Sequence, residues 1–255
     1  MTLQAVLFDI EGTLAIGGQP LPGALDAVAF ARKAGLAVRF LTNITGRTPA
    51  MICAELRGMG FALSEQEIHT ATSACVEYLR ERPALRCRLV VPAAVLPMFD
   101  GIASDETQPE VIVVGDVGSD FNYELLNALF RQLRGGAELV ALHKGVFWMA
   151  ADGPRLDAGA FILGLEAATG KQALVMGKPS PVFFAKAFDA LGVAPADALV
   201  IGDDVSADVQ GARQVGARCA LVGTGKYRPG DEDREPRPDH FLRGLDQLPA
   251  VLSVA

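Results

Sequence analysis

The sequence predicts an α/β fold, a largely parallel sheet covered by helices, with a second unit in its middle third. Two observations carry this. Short apolar runs alternate with helix-period stretches from one end of the chain to the other. In the middle third, the polar stretch Ala103–Glu110 and the Gly135-Gly136 turn punctuate a region that behaves as a second unit. With 255 residues the chain has room for two modest hydrophobic cores.

Leu3–Phe8 reads as the first strand and stops at Asp9, where Gly12 prevents continuation. Pro22 to Lys33 follows as a helix, with Leu25, Val28, Ala29 and Phe30 on one face and Gly35 beyond its end. Leu36–Leu41 is the second strand, ending at Thr42-Asn43. Thr48-Pro49 opens a helix with a capping residue and a proline at the first position, and a further helix spans about Thr72–Glu81. In the middle third, Arg88–Val91, Val111–Val114 and Glu138–Leu142 are strands, with the strongly periodic helix Tyr123–Leu133 between two of them. After the helix Ala158–Ala168, the strand Ala173–Met176 leads to Gly177-Lys178-Pro179. A helix from Pro181 to Leu191 precedes the strand Ala198–Ile201, which ends in Gly202-Asp203-Asp204. Helix Ala207–Val215 and strand Cys219–Val222 close the alternation, and the charged, proline-rich tract Tyr227–Pro238 is a surface loop.

Composition narrows the function classes. Half of the residues are hydrophobic and 21% are charged, as in globular chains. No apolar run approaches the ~18 residues of a membrane helix, so no membrane association is expected. The start, Met1-Thr2-Leu3-Gln4, lacks a basic leader segment. A net charge of −7 without a Lys/Arg block argues against a nucleic-acid partner. Cys53, Cys75, Cys87 and Cys219 are scattered without a C-x-x-C pair, which suits reduced, buried thiols and a cytoplasmic location.

In open parallel sheets, ligands sit at the carboxyl ends of the strands. Here those ends carry Asp9, Thr42, Lys178 and Asp203, residues far apart in sequence. A carboxylate can attack phosphorus to form an aspartyl-phosphate, provided that the phosphoryl charge is neutralised. Mg²⁺ held by carboxylate and carbonyl oxygens is the usual means. Asp9 and Asp203 can supply carboxylates, Lys178 a point charge and Thr42 a hydroxyl. Backbone N–H groups around Glu11-Gly12 and Asn43 can add an anion-binding nest, with Gly12 permitting close approach. Singly, each motif has an ordinary explanation. Asp9-x-Glu11 could be an acidic turn, Thr42-Asn43 a loop start, Lys178 a solvated lysine, and Asp203, Asp204 and Asp208 helix N-terminal charges with Ser206 as cap. Their order, at successive strand ends, favours one phosphoryl site.

"DIEGT", "LTN", "GKP" and "GDDVSAD" resemble the four motifs of the haloacid dehalogenase superfamily of phosphatases. "GKPSPVFFAKA", "IGDDVSADVQGA" and "TGKYRPGDE" are similar to the branch with a type IIA cap between the second and third motifs, and the likeness covers nearly the whole chain. The resemblance implies a Rossmann-like core of residues 1–78 and 175–255, and an inserted α/β cap of residues 79–174 that selects the substrate. It implies a Mg²⁺ cofactor held by Asp9, the Glu11 backbone carbonyl and Asp203. Asp9 would be the nucleophile, Glu11 the acid and base, and Thr42, Asn43 and Lys178 the phosphoryl binders, with Asp204 and Asp208 behind them. Small phosphate esters, pyrophosphate or phosphoramidates would be the substrates, and a homodimer through the cap the assembly.

Glu11 departs from the superfamily pattern, which usually places Asp there. Its extra methylene moves the carboxylate by ~1.5 Å, and a catalytic group misplaced by ~1 Å can cost on the order of 10²-fold in rate. Either Glu11 reaches through a shifted loop, or the chain favours good leaving groups. The alternative is a weakly active or inactive phosphate-ligand-binding homologue. A dehalogenase acting on neutral carbon would have no need of Asp203 and Asp208 as holders of a dication. Gly223–Tyr227, "GTGKY", lacks the residues of a P-loop and is expected to shape a loop beside the site. Phe147-Trp148-Met149 is expected in the core of the cap, with lining of the substrate pocket as the alternative, and Lys144 either faces an anionic substrate or is solvated.

Overall fold

The apolar run after Leu3 forms β1 (Ala5–Asp9), buried at all five positions. Burial on both faces is what a strand between two parallel neighbours requires. The structure, a computed structural model, describes residues 3–150 and 153–254. After β1 come a small antiparallel hairpin, β2 (Ala15–Ile16) and β3 (Gln19–Pro20), and then α1 (Ala24–Lys33), which buries Ala24, Ala27, Val28 and Ala31. β4 (Ala37–Thr42), α2 (Pro49–Gly58) and β5 (Ile68–Thr70) complete the first half of the core.

The chain then leaves the core sheet. Thr70 caps α3 (Ala71–Arg80), its hydroxyl accepting from the Ser73 N–H. β6 (Cys87–Val90), β7 (Val111–Val114), α4 (Tyr123–Arg134) and β8 (Glu138–Ala141) follow. An antiparallel ribbon of β9 (Phe147–Ala150) and β10 (Gly153–Leu156) precedes α5 (Ala158–Thr169) and the short β11 (Leu174–Val175). These strands make a parallel four-stranded sheet in the order β11-β8-β7-β6. Its core joins Ile112, Val114, Leu139 and Ala141 with Leu129 and Leu133 of α4 and Ile162 and Leu165 of α5.

The return supplies α6 (Pro181–Leu191), β12 (Ala198–Gly202), α7 (Gln210–Gln214), β13 (Arg218–Val222), β14 (His240–Leu242) and α8 (Leu248–Val254). The core sheet has six strands in the order β14-β13-β12-β1-β4-β5. β1 pairs in parallel with β4 on one side and β12 on the other. The winding therefore reverses between β1 and β12, and Asp9 and Asp203 lie at the carboxyl ends on either side of that point.

Contacts divide the chain into two compact units, Met1–Thr42, Pro49–His69 and Lys178–Ala255 in one, and Asn43–Thr48 and Thr70–Gly177 in the other. The divisions thus fall at 69/70 and 177/178, where the resemblance implied 78/79 and 174/175. Two elements account for the difference. Helix α3 packs against the helical turn Ala93–Phe99 of the inserted unit, and β11 pairs with β8, so the strand expected before Lys178 belongs to the inserted sheet. The expected helix Ala207–Val215 is split into a π-helical turn, Val205–Val209, and α7. Phe147 is 60% exposed and so does not join a core, its ribbon having two strands among the described residues; the side chains of Trp148 and Met149 lie outside the described residues. All four cysteines are buried and none forms a disulfide.

Candidate active site

The carboxyl edge of the core sheet buries four charged side chains: Asp9 at 6% exposure, Lys178 at 7%, and Asp203 and Asp208 at 2% each. Asp9 ends β1, and its register partner on the far side, Leu41, precedes Thr42 at the end of β4. Asp203 directly follows β12. Lys178 comes from the chain entering α6 instead of from a core strand, a route that apolar runs alone do not reveal.

Lys178 Nζ donates to Asp9 Oδ1 and, at 2.6 Å, to Asp208 Oδ1. Asp208 accepts the Asp204 N–H on its other oxygen at 3.2 Å. Both oxygens of Asp208 are thus committed within the protein, and its part is to orient Lys178. The Asp204 carboxylate caps the following turn through the N–H groups of Ser206 and Ala207, and accepts Lys226 Nζ at 3.1 Å. The cap is therefore Asp204, where the sequence had suggested Ser206. The Lys226 N–H donates to Asp203 Oδ2 at 2.7 Å.

Electrostatics follow from this burial. Desolvation pushes the Asp203 carboxyl up to about 6, helped by neighbouring Asp208 and opposed by the Lys226 N–H. Desolvation also raises Asp208 to about 6 against the pull of Lys178. Asp9 moves up for the same reason, again against Lys178. Burial disfavours the Lys178 ammonium, yet Asp208 and Asp9 together hold it above the usual lysine range. Lys178 pairs with Asp9 and Asp208 and Lys226 with Asp204, so full ionisation of Asp9, Asp203, Asp204 and Asp208 leaves two negative charges in excess.

Oxygens of Asp9, Asp203 and Asp208 lie within 4.8 Å of one another. An all-oxygen donor set with surplus negative charge suits a hard divalent cation. Lys178 occupies one oxygen of Asp9 and the Lys226 N–H one of Asp203, and the second oxygen of each lies outside these bonds. Those two residues fit a cation better than Asp208 does.

Gly12 has φ +91°, and a Cβ there would collide with the Asp203 carboxylate. Its missing side chain makes room for Asp203, where the sequence reading had made room for a ligand. The Gly12 N–H is spent on the Ala15 carbonyl at 2.9 Å, so the expected nest lacks that donor. Glu11 is exposed, and among the described residues its carboxylate enters no hydrogen bond or ion pair. Thr42 is buried in the core unit. Asn43 falls in the other unit, where its Oδ1 and the Leu142 carbonyl leave no space for a Cβ at Gly177. Lys144 is partly exposed but paired, its Nζ reaching both oxygens of the buried Glu166 at 2.9 and 2.7 Å.

Fold and site define an α/β protein whose working edge is an acidic, oxygen-donor cluster at a topological switch point. A family model described as haloacid dehalogenase-like hydrolase matches residues 6–115, and a related one residues 175–248. The chain is 39% identical over 258 residues to phospholysine phosphohistidine inorganic pyrophosphate phosphatase of Xenopus laevis, covering 98% of this chain and 94% of the relative. It is 40% identical over 239 residues to human haloacid dehalogenase-like hydrolase domain-containing protein 2, covering 94% and 91%. Among solved structures, 4-nitrophenylphosphatase of Thermotoga maritima superimposes with a TM-score of 0.90 at 26% identity, over 98% of this chain and 97% of that one. p-Nitrophenyl phosphatase of Archaeoglobus fulgidus gives the same score and identity, over 98% and 100%. The chain belongs to the haloacid dehalogenase-like hydrolases and is an enzyme of that superfamily's phosphatase class. Among the described residues no helix is long and apolar enough to cross a membrane.

Proposed function

We propose that the chain is a Mg²⁺-dependent phosphohydrolase of small phosphate esters, pyrophosphate or phosphoramidates, with Asp9 as nucleophile. One observation supports this above all: Lys178 holds Oδ1 of Asp9 and leaves Oδ2 outside its bonds, within a cluster carrying surplus negative charge. Asp9, the Glu11 carbonyl and Asp203 would hold the cation, which supplies positive charge against the repulsion between carboxylate and phosphate. Asp9 attacks phosphorus, the P–O or P–N bond to the leaving group breaks, and the leaving group takes a proton from Glu11 or water. A water then attacks the aspartyl-phosphate, its proton passing to the Glu11 carboxylate, and phosphate departs with Asp9 restored. Lys178, fixed by Asp208, binds phosphoryl oxygen as a point charge, and Thr42 at the adjacent strand end offers its hydroxyl.

The test is turnover of p-nitrophenyl phosphate, pyrophosphate and a phosphoramidate with and without Mg²⁺. Asp9→Asn is expected to lower the rate by about 10³-fold or more. A wild-type rate in that variant, or full activity in EDTA, overturns the assignment.

Exposed, unpartnered Glu11 favours a second reading, a phosphate-ligand-binding homologue with little turnover. A large drop in Glu11→Ala with activity kept in Glu11→Asp supports the enzyme; no turnover on the whole panel supports the binder.

A further inference from the structure

The Gly223–Tyr227 turn joins two parts of the site that lie far apart in sequence. Thr224 Oγ1 donates to the Gly12 carbonyl at 2.6 Å, while two residues later the Lys226 N–H holds Asp203 Oδ2. Between them Gly225 sits at φ +59°, where a Cβ would strike both the Asp203 carboxylate and Gly12 Cα. The turn is itself anchored. Gly223 N–H donates to the Leu242 carbonyl at 2.8 Å, Tyr227 N–H to the Thr224 carbonyl at 3.1 Å, and the Tyr227 ring stacks on Phe241 with centroids 5.1 Å apart.

Gly12 is the residue that most requires such an anchor. Without a Cβ its flanking peptide planes rotate at little cost, and the plane before it carries the Glu11 carbonyl. Two bonds stop that rotation. Gly12 N–H on Ala15 O fixes the first plane, and because the peptide is trans, it sets the Glu11 carbonyl on the opposite side. Thr224 on Gly12 O fixes the second plane. The first bond is local to the loop, whereas the second ties the Gly12 peptide to the turn that also holds Asp203.

We propose that Thr224 is a positioning residue for the hydrolase: its hydroxyl locks the peptide after Gly12, so that the Glu11 carbonyl and carboxylate keep register with Asp203. The inference rests on the function proposed above. Partners placed behind metal ligands typically change affinity or activity by about 10–100-fold when removed. Thr224→Val keeps shape and removes the donor, whereas Thr224→Ser keeps the donor.

Mn²⁺ binding to substrate-free protein, followed by paramagnetic resonance, and steady-state kinetics on p-nitrophenyl phosphate form the test. Thr224→Val is expected to bind Mn²⁺ about tenfold more weakly and to lose about tenfold in kcat with KM little changed, and Thr224→Ser to recover both. Should Thr224→Val fail to fold, Thr224→Ala takes its place with the same expected losses. Unchanged Mn²⁺ affinity and kcat in a folded donor-less variant overturn the proposal, as does a loss that Ser does not recover. If instead Asp9→Asn turns over at the wild-type rate, the reading of the site itself has failed, and that control shows it separately from the Thr224 variants.

Discussion

Each unit sets a lysine against buried carboxylate, and the two arrangements differ in how their charges sum. In the inserted unit, Lys144 meets both oxygens of Glu166, and the Ala173 N–H adds a third bond at 2.6 Å. Nearby, His143 Nε2 lies 3.3 Å from Asp157 Oδ1, an oxygen that also accepts the Ala158 N–H at the start of α5. One ammonium there answers one carboxylate, and nothing further is required. In the core, Lys178 and Lys226 stand among the four carboxylates of Asp9, Asp203, Asp204 and Asp208, two fewer than balance would require. Buried ion pairs are common structural devices; an uncompensated excess beside a strand end is what asks for a ligand.

The sharpest way to break this comparison is to remove each lysine. Lys178→Met should lower kcat on p-nitrophenyl phosphate by about 10²–10³-fold, and should destabilise the fold by about 3–5 kcal/mol at pH 7 in urea titrations, because it leaves buried carboxylates without a cation. A divalent cation should act on the core cluster alone. At 100 times its dissociation constant it adds about 2.7 kcal/mol to unfolding, so Mg²⁺ should raise the melting temperature of wild type and Glu166→Gln, but not of Asp203→Asn.

A smaller effect separates the clusters by pH. Asp203 and Asp208 titrate near 6 in the fold against 3.8 as the ordinary value, so the metal-free fold holds more protons than the unfolded chain between those limits. Stability from these groups is therefore full below about pH 4 and falls as pH rises to about 6, by on the order of 1–3 kcal/mol. Buried His69, held down to about 3 against 6.5, runs the other way: its contribution is lost as pH falls below 6.5. Comparing urea midpoints of wild type and Asp203→Asn from pH 4 to 7 in EDTA removes the His69 effect, and the difference should shift toward Asp203→Asn as pH rises. The least effect belongs to Lys144→Met. With 27% of the lysine side chain exposed, about 1–2 kcal/mol is expected, with kcat unchanged.

The sequence made the floor of the site legible and hid its supports. Asp9 and Asp203 stand out because each follows a fully buried apolar strand, a pattern visible in a string of letters. Lys178 is identifiable by its motif, but its approach is not, since Leu174–Val175 has an apolar pattern that fits either sheet. The outer strands Ile68–His69–Thr70 and His240–Phe241–Leu242 escape notice, being three residues long with a polar group within them. The partner of Gly12 is hidden for another reason. Its neighbour in space, Asp203, and the hydroxyl that fixes its carbonyl, Thr224, are set by the close approach of distant turns.

The strand order also dictates a schedule for synthesis. β1 and β4 leave the ribosome early, whereas the other neighbour of β1 begins at Ala198. At ~5–20 residues per second, roughly 190 further residues take about 10–40 s to appear. The inserted stretch Thr70–Gly177 is complete within that interval, while one edge of β1, buried at every position in the finished fold, stays without its partner, a template for mispairing with other chains. Translation rate and chaperone supply during those seconds bear on how much active enzyme a cell obtains, independently of how stable the finished fold is.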